Sequence, residues 1–287
     1  MSSIVLLTII SLSVIAIIAA VILYFVAQKF IVFEDPRIDE IQAVLPAANC
    51  GGCGFAGCRN FAEALVKADT FEGLNCPVGG AAIMGDAAKI LGKEAPVVEP
   101  QVAILLCNGT PEFRPRTSLY NGANDCRIAH NLYLGDTDCS YGCLGLDDCV
   151  RACMFDAMYM DRVTGLPVIV DDKCVACGAC VKACPRNIIE LRKKAGKDRK
   201  IYVACSNCDK GGPARRACEV ACIACSKCFK VCEFGAITIE DNLAYIDAAK
   251  CTFCRKCSPE CPTNSILEIN FPPRKPKVEV ITETVTG

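Results

Sequence analysis

The longest uninterrupted apolar stretch is residues 4–27, IVLLTIISLSVIAIIAAVILYFVA, and no charged side chain precedes Lys29. About 24 residues at a helical rise of about 1.5 Å cross a hydrocarbon layer of about 30 Å, so the run predicts one transmembrane helix. It is too long, and its start too free of Lys and Arg, for a cleaved signal peptide. No other run is long and apolar enough to span, so a single pass is expected. Past the span the rhythm changes. Ile38, Ile41, Val44 and Leu45 recur at helical spacing within a short connector, 29–49. Phe61, Ala62 and Leu65 share one face of a helix expected from Cys58 to Ala68. Residues 101–107, QVAILLC, read as a buried strand. Beyond these, apolar runs are short and broken by cysteine.

Composition sharpens this. The chain has 25 cysteines in 287 residues, one histidine (His130), no tryptophan and a net charge of −1. A His-based zinc enzyme or a Ser-His-Asp hydrolase has almost nothing to work with, and there is no basic field for nucleic acid. A disulfide scaffold fits poorly, because many cysteines sit in tight runs where local bridges would be strained. Lys29 and Arg37 follow the span and no basic residue precedes it, so the positive-inside bias places the bulk of the chain in the cytoplasm. Thiols stay reduced there and free for metal.

The strongest signal is an internal repeat, 139–191 and 222–269. Cys149, Cys153 and Phe155-Asp156-Ala157 match Cys228, Cys232 and Phe234-Gly235-Ala236. In the second copy, Cys222-x2-Cys225-x2-Cys228-x3-Cys232 precedes Cys251-x2-Cys254-x2-Cys257-x3-Cys261-Pro262. This is the two-cluster ferredoxin spacing, in which the fourth cysteine of each run ligates the other cluster. Three thiolates on a tight turn cover one face of a cubane, and the fourth points away. One expected set is therefore Cys222, Cys225, Cys228 and Cys261, and the other is Cys251, Cys254, Cys257 and Cys232. The first copy is looser at its start, Cys139-x3-Cys143-x5-Cys149-x3-Cys153, then regular through Cys174, Cys177, Cys180 and Cys184-Pro185. The same exchange predicts Cys139, Cys143, Cys149 and Cys184 as one set, with Cys174, Cys177, Cys180 and Cys153 as another. Cys50-x2-Cys53-x4-Cys58-x17-Cys76-Pro77 is a separate four-cysteine site, with Gly51, Gly52 and Gly54 letting backbone wrap a bulky ligand. Cys107, Cys126, Cys205, Cys208 and Cys218 remain. Four of them can hold a sixth cluster, or they are buried thiols.

The expected fold is α+β: a single N-terminal transmembrane helix, a small four-cysteine Fe–S domain and two ferredoxin-like, two-cluster modules. The boundaries drawn are 1–28 for the anchor, 29–95 for the N-terminal [4Fe–4S] domain and 96–138 for a connecting segment. The first module is 139–191, a basic linker with a cysteine patch is 192–221, the second module is 222–270, and the tail is 271–287. The tail, Pro- and Lys-rich from Pro272, is expected to be disordered. The linker opens on LRKKAGKDRK, which either steers an acidic partner or is a solvated loop. Asp136, Asp138, Asp147 and Asp148 crowd the start of the first module, as cluster-tuning charges or as a solvated loop.

The anchor, CGGCGFAGCRNFAEAL, CSYGCLGLDDCVRAC, CVACGACVKACP and the second cysteine pair together resemble the iron–sulfur subunit lettered B in the Rnf electron-transport complex, over nearly the whole chain. The resemblance implies a membrane complex that passes electrons from reduced ferredoxin to NAD+ and couples this to pumping sodium ions or protons. It implies soluble ferredoxin as donor, other membrane subunits as partners, and a separate flavin- and NAD-binding subunit. The chain would be one component of a translocase with no complete active site of its own, and it has no GxGxxG after a strand. The family pattern further implies Cys107, Cys126, Cys205 and Cys218 as the sixth [4Fe–4S] set, with Cys208 spare. That makes about 24 irons at four per cubane.

Some positions depart from the pattern. Met154 and Glu233 replace the usual proline, and Asp147 and Arg255 stand where glycine is usual. Arg255 is expected to raise the potential of its cluster, so Arg255→Gly should lower it. Two other readings stay open: an Fe–S subunit that reduces a different partner, such as a redox-sensing regulator, and a structural zinc scaffold.

Overall fold

The computed structural model describes residues 2–29, 35–97, 99–132 and 135–274. Helix α1, Ser2–Lys29, contains a segment from Val5 to Lys29 with mean hydropathy 3.0 and no part of it buried by the rest of the chain. Isolated in this way, it is long and apolar enough to cross a membrane. The part of the connector at 30–34 and the tail at 275–287 lie outside the described residues.

The N-terminal domain is three helices around one core. They are α2 (Arg37–Val44), α3 (Cys58–Lys67) and α4 (Gly80–Leu91). Ile38, Ile41 and Leu45 pack with Phe61, Ala62, Leu65 and Met84, so the connector's helix is built into this core. Gly92 ends α4 in the left-handed conformation, a common helix stop.

The first module contains β1 (Gln101–Leu105), α5 (Cys126–Leu132), α6 (Asp148–Arg151), β2 (Met158–Met160), β3 (Pro167–Ile169), α7 (Ala179–Ala183) and β4 (Ile189–Lys193). β1 pairs antiparallel with β4, Leu105 opposite Ile189, and β2 pairs with β3. The second module contains β5 (Lys200–Val203), α8 (Gly211–Ala217), α9 (Lys227–Lys230), β6 (Ile237–Glu240), β7 (Leu243–Ile246) and β8 (Ile266–Ile269). β5 pairs with β8 and β6 with β7, again antiparallel. Each module is thus two short hairpin-like sheets with apolar faces turned onto the cysteine runs.

The 96–138 and 192–221 segments are therefore more than connections. Each supplies the outer strand of the module that follows, β1 for the first and β5 for the second. The repeat extends to these strands: QVAIL-Leu106-Cys107 corresponds to KIYV-Ala204-Cys205. The two strand ends meet, with Asn108 N donating to Ala204 O at 3.1 Å and Ser206 Oγ donating to Leu106 O at 2.7 Å.

The basic stretch 191–200 is two strand ends joined by a turn, with Lys193, Gly196 and Lys197 exposed. Arg192 is buried, donates to Ile246 O at 2.9 Å, pairs with Glu190 and stacks 4.8 Å from the Tyr245 ring. Lys193 pairs with Glu99, Lys194 with Asp198 and Lys200 with Asp171. Arg192, through Ile246 O and Tyr245, and Lys200, through Asp171, tie the two modules together, while the Lys193 and Lys194 pairs stay local.

Candidate metal centres

The tight runs of the second module decide its local geometry. Cys228 rides on α9, and Ser226, two residues earlier, takes φ 62° to turn the chain into that helix. Cys232 follows the helix and faces the other way. A cavity of about 340 Å³ is lined by Cys222, Cys225, Cys228 and Cys261, and one of about 320 Å³ by Cys232, Cys251, Cys254 and Cys257. Cys225 and Cys254 are exposed, so both cavities reach the surface there.

In the first module, a cavity of about 330 Å³ is lined by Cys153, Cys174, Cys177 and Cys180. The other cavity, about 390 Å³, is lined by Cys126, Cys143, Cys149 and Cys184. Cys126, not Cys139, stands with this group. It sits at the start of α5, where its N–H donates to Asp148 Oδ2 at 2.9 Å, and Arg151 pairs with both Asp147 and Asp148. The acidic cluster thus anchors the segment that carries Cys126.

Cys139 lies instead at the junction of the modules. It is buried, and Asn207, itself buried, points its Nδ2 at the Cys139 Sγ at 3.7 Å. Cys107 lies two residues past β1 and accepts from Cys143 N at 3.4 Å, while Cys205 lies two residues past β5 and accepts from Asn207 N at 3.4 Å. Burial pushes up the Cys218 thiol, and the charges of Cys107 and Cys139 add to this. Burial likewise pushes Cys205 to about 12, with Cys222 and Cys139 contributing. Cys107, Cys139, Cys205 and Cys218 are therefore neighbours, and Cys208 stands apart, half-buried against Ser206 O. Two arginines brace the Cys139–Cys143 loop: Arg114 donates to Cys143 O at 2.7 Å and Arg186 to Gly142 O at 2.8 Å.

In the N-terminal domain, Cys53, Cys58 and buried Cys76 pack on the helical core. Asn49 Oδ1 accepts from the Cys58 N–H at 2.8 Å and fixes the start of α3. Gly79 N donates to Cys76 Sγ at 3.4 Å.

The donor chemistry fits a polynuclear iron–sulfur group. Burial pushes Cys149 and Cys257 up to about 12, and Cys180 and Cys228 up to about 11, with neighbouring thiolates adding to each. Thiols so placed are deprotonated by a strongly positive ligand. Among the described residues no group of three Cys, His, Asp or Glu side chains converges as a single metal ion requires. Each of these sites instead gathers four cysteines around one cavity, the donor set of a [4Fe–4S] cluster. Backbone N–H groups also aim at sulfur, from Ala244 to Cys222 at 3.5 Å and from Ser265 to Cys261 at 3.3 Å. Such bonds raise cluster potentials by stabilising added negative charge.

Arg255 beside Cys254 does not stand alone. Its Nε donates to Glu268 Oε2 at 2.6 Å, and Arg274 reaches the other carboxylate oxygen. Burial would raise the Glu268 carboxyl, but hydrogen bonds from Arg274 and Arg255 hold it below its ordinary value. The cation invoked for potential tuning is thus compensated.

Three family models match the chain. One described as a putative Fe–S cluster covers 45–77, a 4Fe–4S binding domain covers 167–190, and a 4Fe–4S dicluster domain covers 221–265. The subunit lettered B of the Na(+)-translocating ferredoxin:NAD(+) oxidoreductase complex of Acetobacterium woodii is 42% identical over 84% of this chain and 71% of its own length. Its counterpart, of the same letter, in the ion-translocating oxidoreductase complex of Methanosarcina acetivorans is 37% identical, covering 86% of this chain and 91% of that protein. The counterpart in the proton-translocating ferredoxin:NAD(+) oxidoreductase complex of Clostridium ljungdahlii is 38% identical over 90% of each.

Proposed function

This chain belongs to the family of the subunit lettered B in ion-translocating, Rnf-type ferredoxin:NAD+ oxidoreductase complexes, and on that premise we propose that it takes electrons from reduced ferredoxin and relays them through six [4Fe–4S] clusters. The observation that carries this reading is the four cavities, each ringed by four cysteines drawn from two or more parts of the chain. When bound, the clusters supply one-electron transfer; everything else is the work of the chain. Cys50, Cys53, Cys58 and Cys76 hold one. Cys126, Cys143, Cys149 and Cys184 hold a second, and Cys153, Cys174, Cys177 and Cys180 a third. Cys222, Cys225, Cys228 and Cys261 hold a fourth, and Cys232, Cys251, Cys254 and Cys257 a fifth. Cys107, Cys139, Cys205 and Cys218 hold the sixth, between the modules. Relative to the sets expected from spacing and family pattern, Cys126 and Cys139 change places.

The cysteines exchanged between runs keep neighbouring clusters close. Short sheets cover them from water, and the peptide N–H groups aimed at sulfur help set their potentials. α1 anchors the chain, with the cysteine domains on the cytoplasmic side as Lys29 and Arg37 favour. The nicotinamide step belongs to a flavin- and NAD-binding partner subunit. The test is anaerobic mixing of the full-length, detergent-solubilised chain with photoreduced ferredoxin, followed by visible absorbance. Rapid bleaching, with none from NADH alone, is expected. Clusters that bleach with dithionite but not with ferredoxin would point to another donor, and a colourless zinc-loaded chain would point to a scaffold.

A further inference from the structure

Two cysteine loops from different sites meet back to back. Gly52 lies between Cys50 and Cys53, and a Cβ built on it would stand 2.8 Å from the Cys177 carbonyl oxygen and 3.0 Å from the Cys177 Cα. Pro77, next to Cys76, closes the other side at 2.9 Å. The atoms opposite Gly52 are backbone, which cannot swing aside as a side-chain tip can. Gly51 and Gly54 have φ of +68° and +90°, which account for glycine there, but Gly52 is outside that left-handed region. Its missing side chain is used for close approach. Gly52 stands between two cysteines of the N-terminal set and Cys177 belongs to the other, so the two cysteine loops meet across this contact.

The connection is unlike the others in the chain. Within each module, cysteines are exchanged between sites, and the junction site draws on both modules. The N-terminal set lends no cysteine to any other set, so its electrical continuity depends on contact alone. We propose that Gly52 is a positioning residue that docks the N-terminal site onto the Cys153, Cys174, Cys177 and Cys180 site, making this contact the electron-transfer junction between the N-terminal domain and the ferredoxin-like modules. The inference rests on the cluster reading above. The step moves one electron: the group in one site is oxidised as that in the other is reduced, no bond forms or breaks, and no proton moves. In sequence the N-terminal domain follows α1, so this junction joins the modules to the membrane end of the chain.

The experiment is electron paramagnetic resonance of the partly reduced full-length chain in detergent. A Cys76→Ala chain identifies the N-terminal signal by its loss. In the native chain that signal should show spin–spin broadening from one first-module cluster. In Gly52→Val, with iron content unchanged, the broadening should be lost and ferredoxin should reduce the N-terminal cluster more slowly. Gly85→Ala, at a helix position in the same domain where an added Cβ meets nothing within 4 Å, should match the native chain. Unchanged broadening in Gly52→Val overturns the proposal. If that variant fails to hold its N-terminal cluster, the native chain decides, and absent broadening there also overturns it. A chain with no cluster signals at all would instead remove the cluster reading itself.

Discussion

The two modules share a plan and differ in how they spend their first cysteine run. In the second, Cys222, Cys225 and Cys228 stand on one cavity wall with Cys261. In the first, the corresponding wall takes Cys126, Cys143 and Cys149 with Cys184, and Cys139 is diverted to the module junction. Spacing specifies a site only where a run is too short for its cysteines to part. Longer gaps let one cysteine serve a neighbouring site while a more distant one replaces it.

The largest test of this difference counts iron in paired variants. Cys107→Ala with Cys126→Ala should remove two clusters, leaving about 16 irons of about 24, because the two residues serve different sites. Cys126→Ala with Cys143→Ala should remove one and leave about 20 at four irons per cubane. The family-pattern sets predict the reverse for these two pairs. Anaerobic iron and sulfide analysis separates them, and about 20 irons in the Cys107/Cys126 variant would restore the family-pattern sets.

This exchange marks the limit of what the sequence made legible. The apolar run before Lys29, the Phe61, Ala62 and Leu65 face, the strand at QVAILLC and the regular cysteine runs are local patterns, and the structure shows the corresponding elements. The position of Cys126 depends on a long excursion folding back, with Asp148 receiving the Cys126 N–H across 22 residues of chain. Nothing periodic encodes that. One signal was present and unread: an apolar strand ending in cysteine recurs as KIYVAC, the counterpart of QVAILLC, and it places Cys107 and Cys205 at equivalent positions. Composition shows only one acid, Asp198, within the basic stretch, and not that Glu99, Asp171 and Glu190 outside it also pair with its cations.

A second test concerns one pair of equivalent positions. In the first module a Cβ on Gly178 would meet Leu191 at 3.8 Å, whereas in the second the matching residues are Arg255 and Glu268, an ion pair at 2.6 Å. Glu268→Leu alone strands Arg255 and Arg274. It should raise the midpoint of the Cys232, Cys251, Cys254 and Cys257 cluster and destabilise the module by about 3 kcal/mol. Arg255→Gly should lower the midpoint slightly, because Arg274 still faces Glu268. The double variant rebuilds the first module's neutral pair and should recover most of the stability. Potentiometric titration and the temperature of visible bleaching read both effects. Additive single and double effects would show that the pair does not act as a unit.

Next in size is the join between modules. Arg192→Ala leaves Ile246 O and Glu190 short of a buried donor, a loss of about 1–3 kcal/mol. Its bleaching temperature should fall, while the salt dependence of ferredoxin reduction should hold. Lys256→Ala breaks an exposed pair with Glu233 on the second module and should leave that temperature unchanged. A salt dependence that moved with Arg192 would return the stretch to a docking role.

The smallest effect lies two residues before the third cysteine of each run. Asp147, Gly178, Ser226 and Arg255 all take positive φ, from 60° to 77°. An L-residue there carries about 1–2 kcal/mol of left-handed strain. Glycine avoids it but loses up to about 1 kcal/mol through the freedom of its unfolded chain. Ser226→Gly should therefore raise the bleaching temperature slightly, and Gly178→Ser should lower it by a similar amount. Both shifts correspond to less than about 1 kcal/mol. Ser226 Oγ sits 3.4 Å from Ala224 O, at the edge of hydrogen-bonding range. If Ser226→Gly lowered the temperature instead, that bond would outweigh the strain. The turn would then be held by a different force in each module although its backbone is the same.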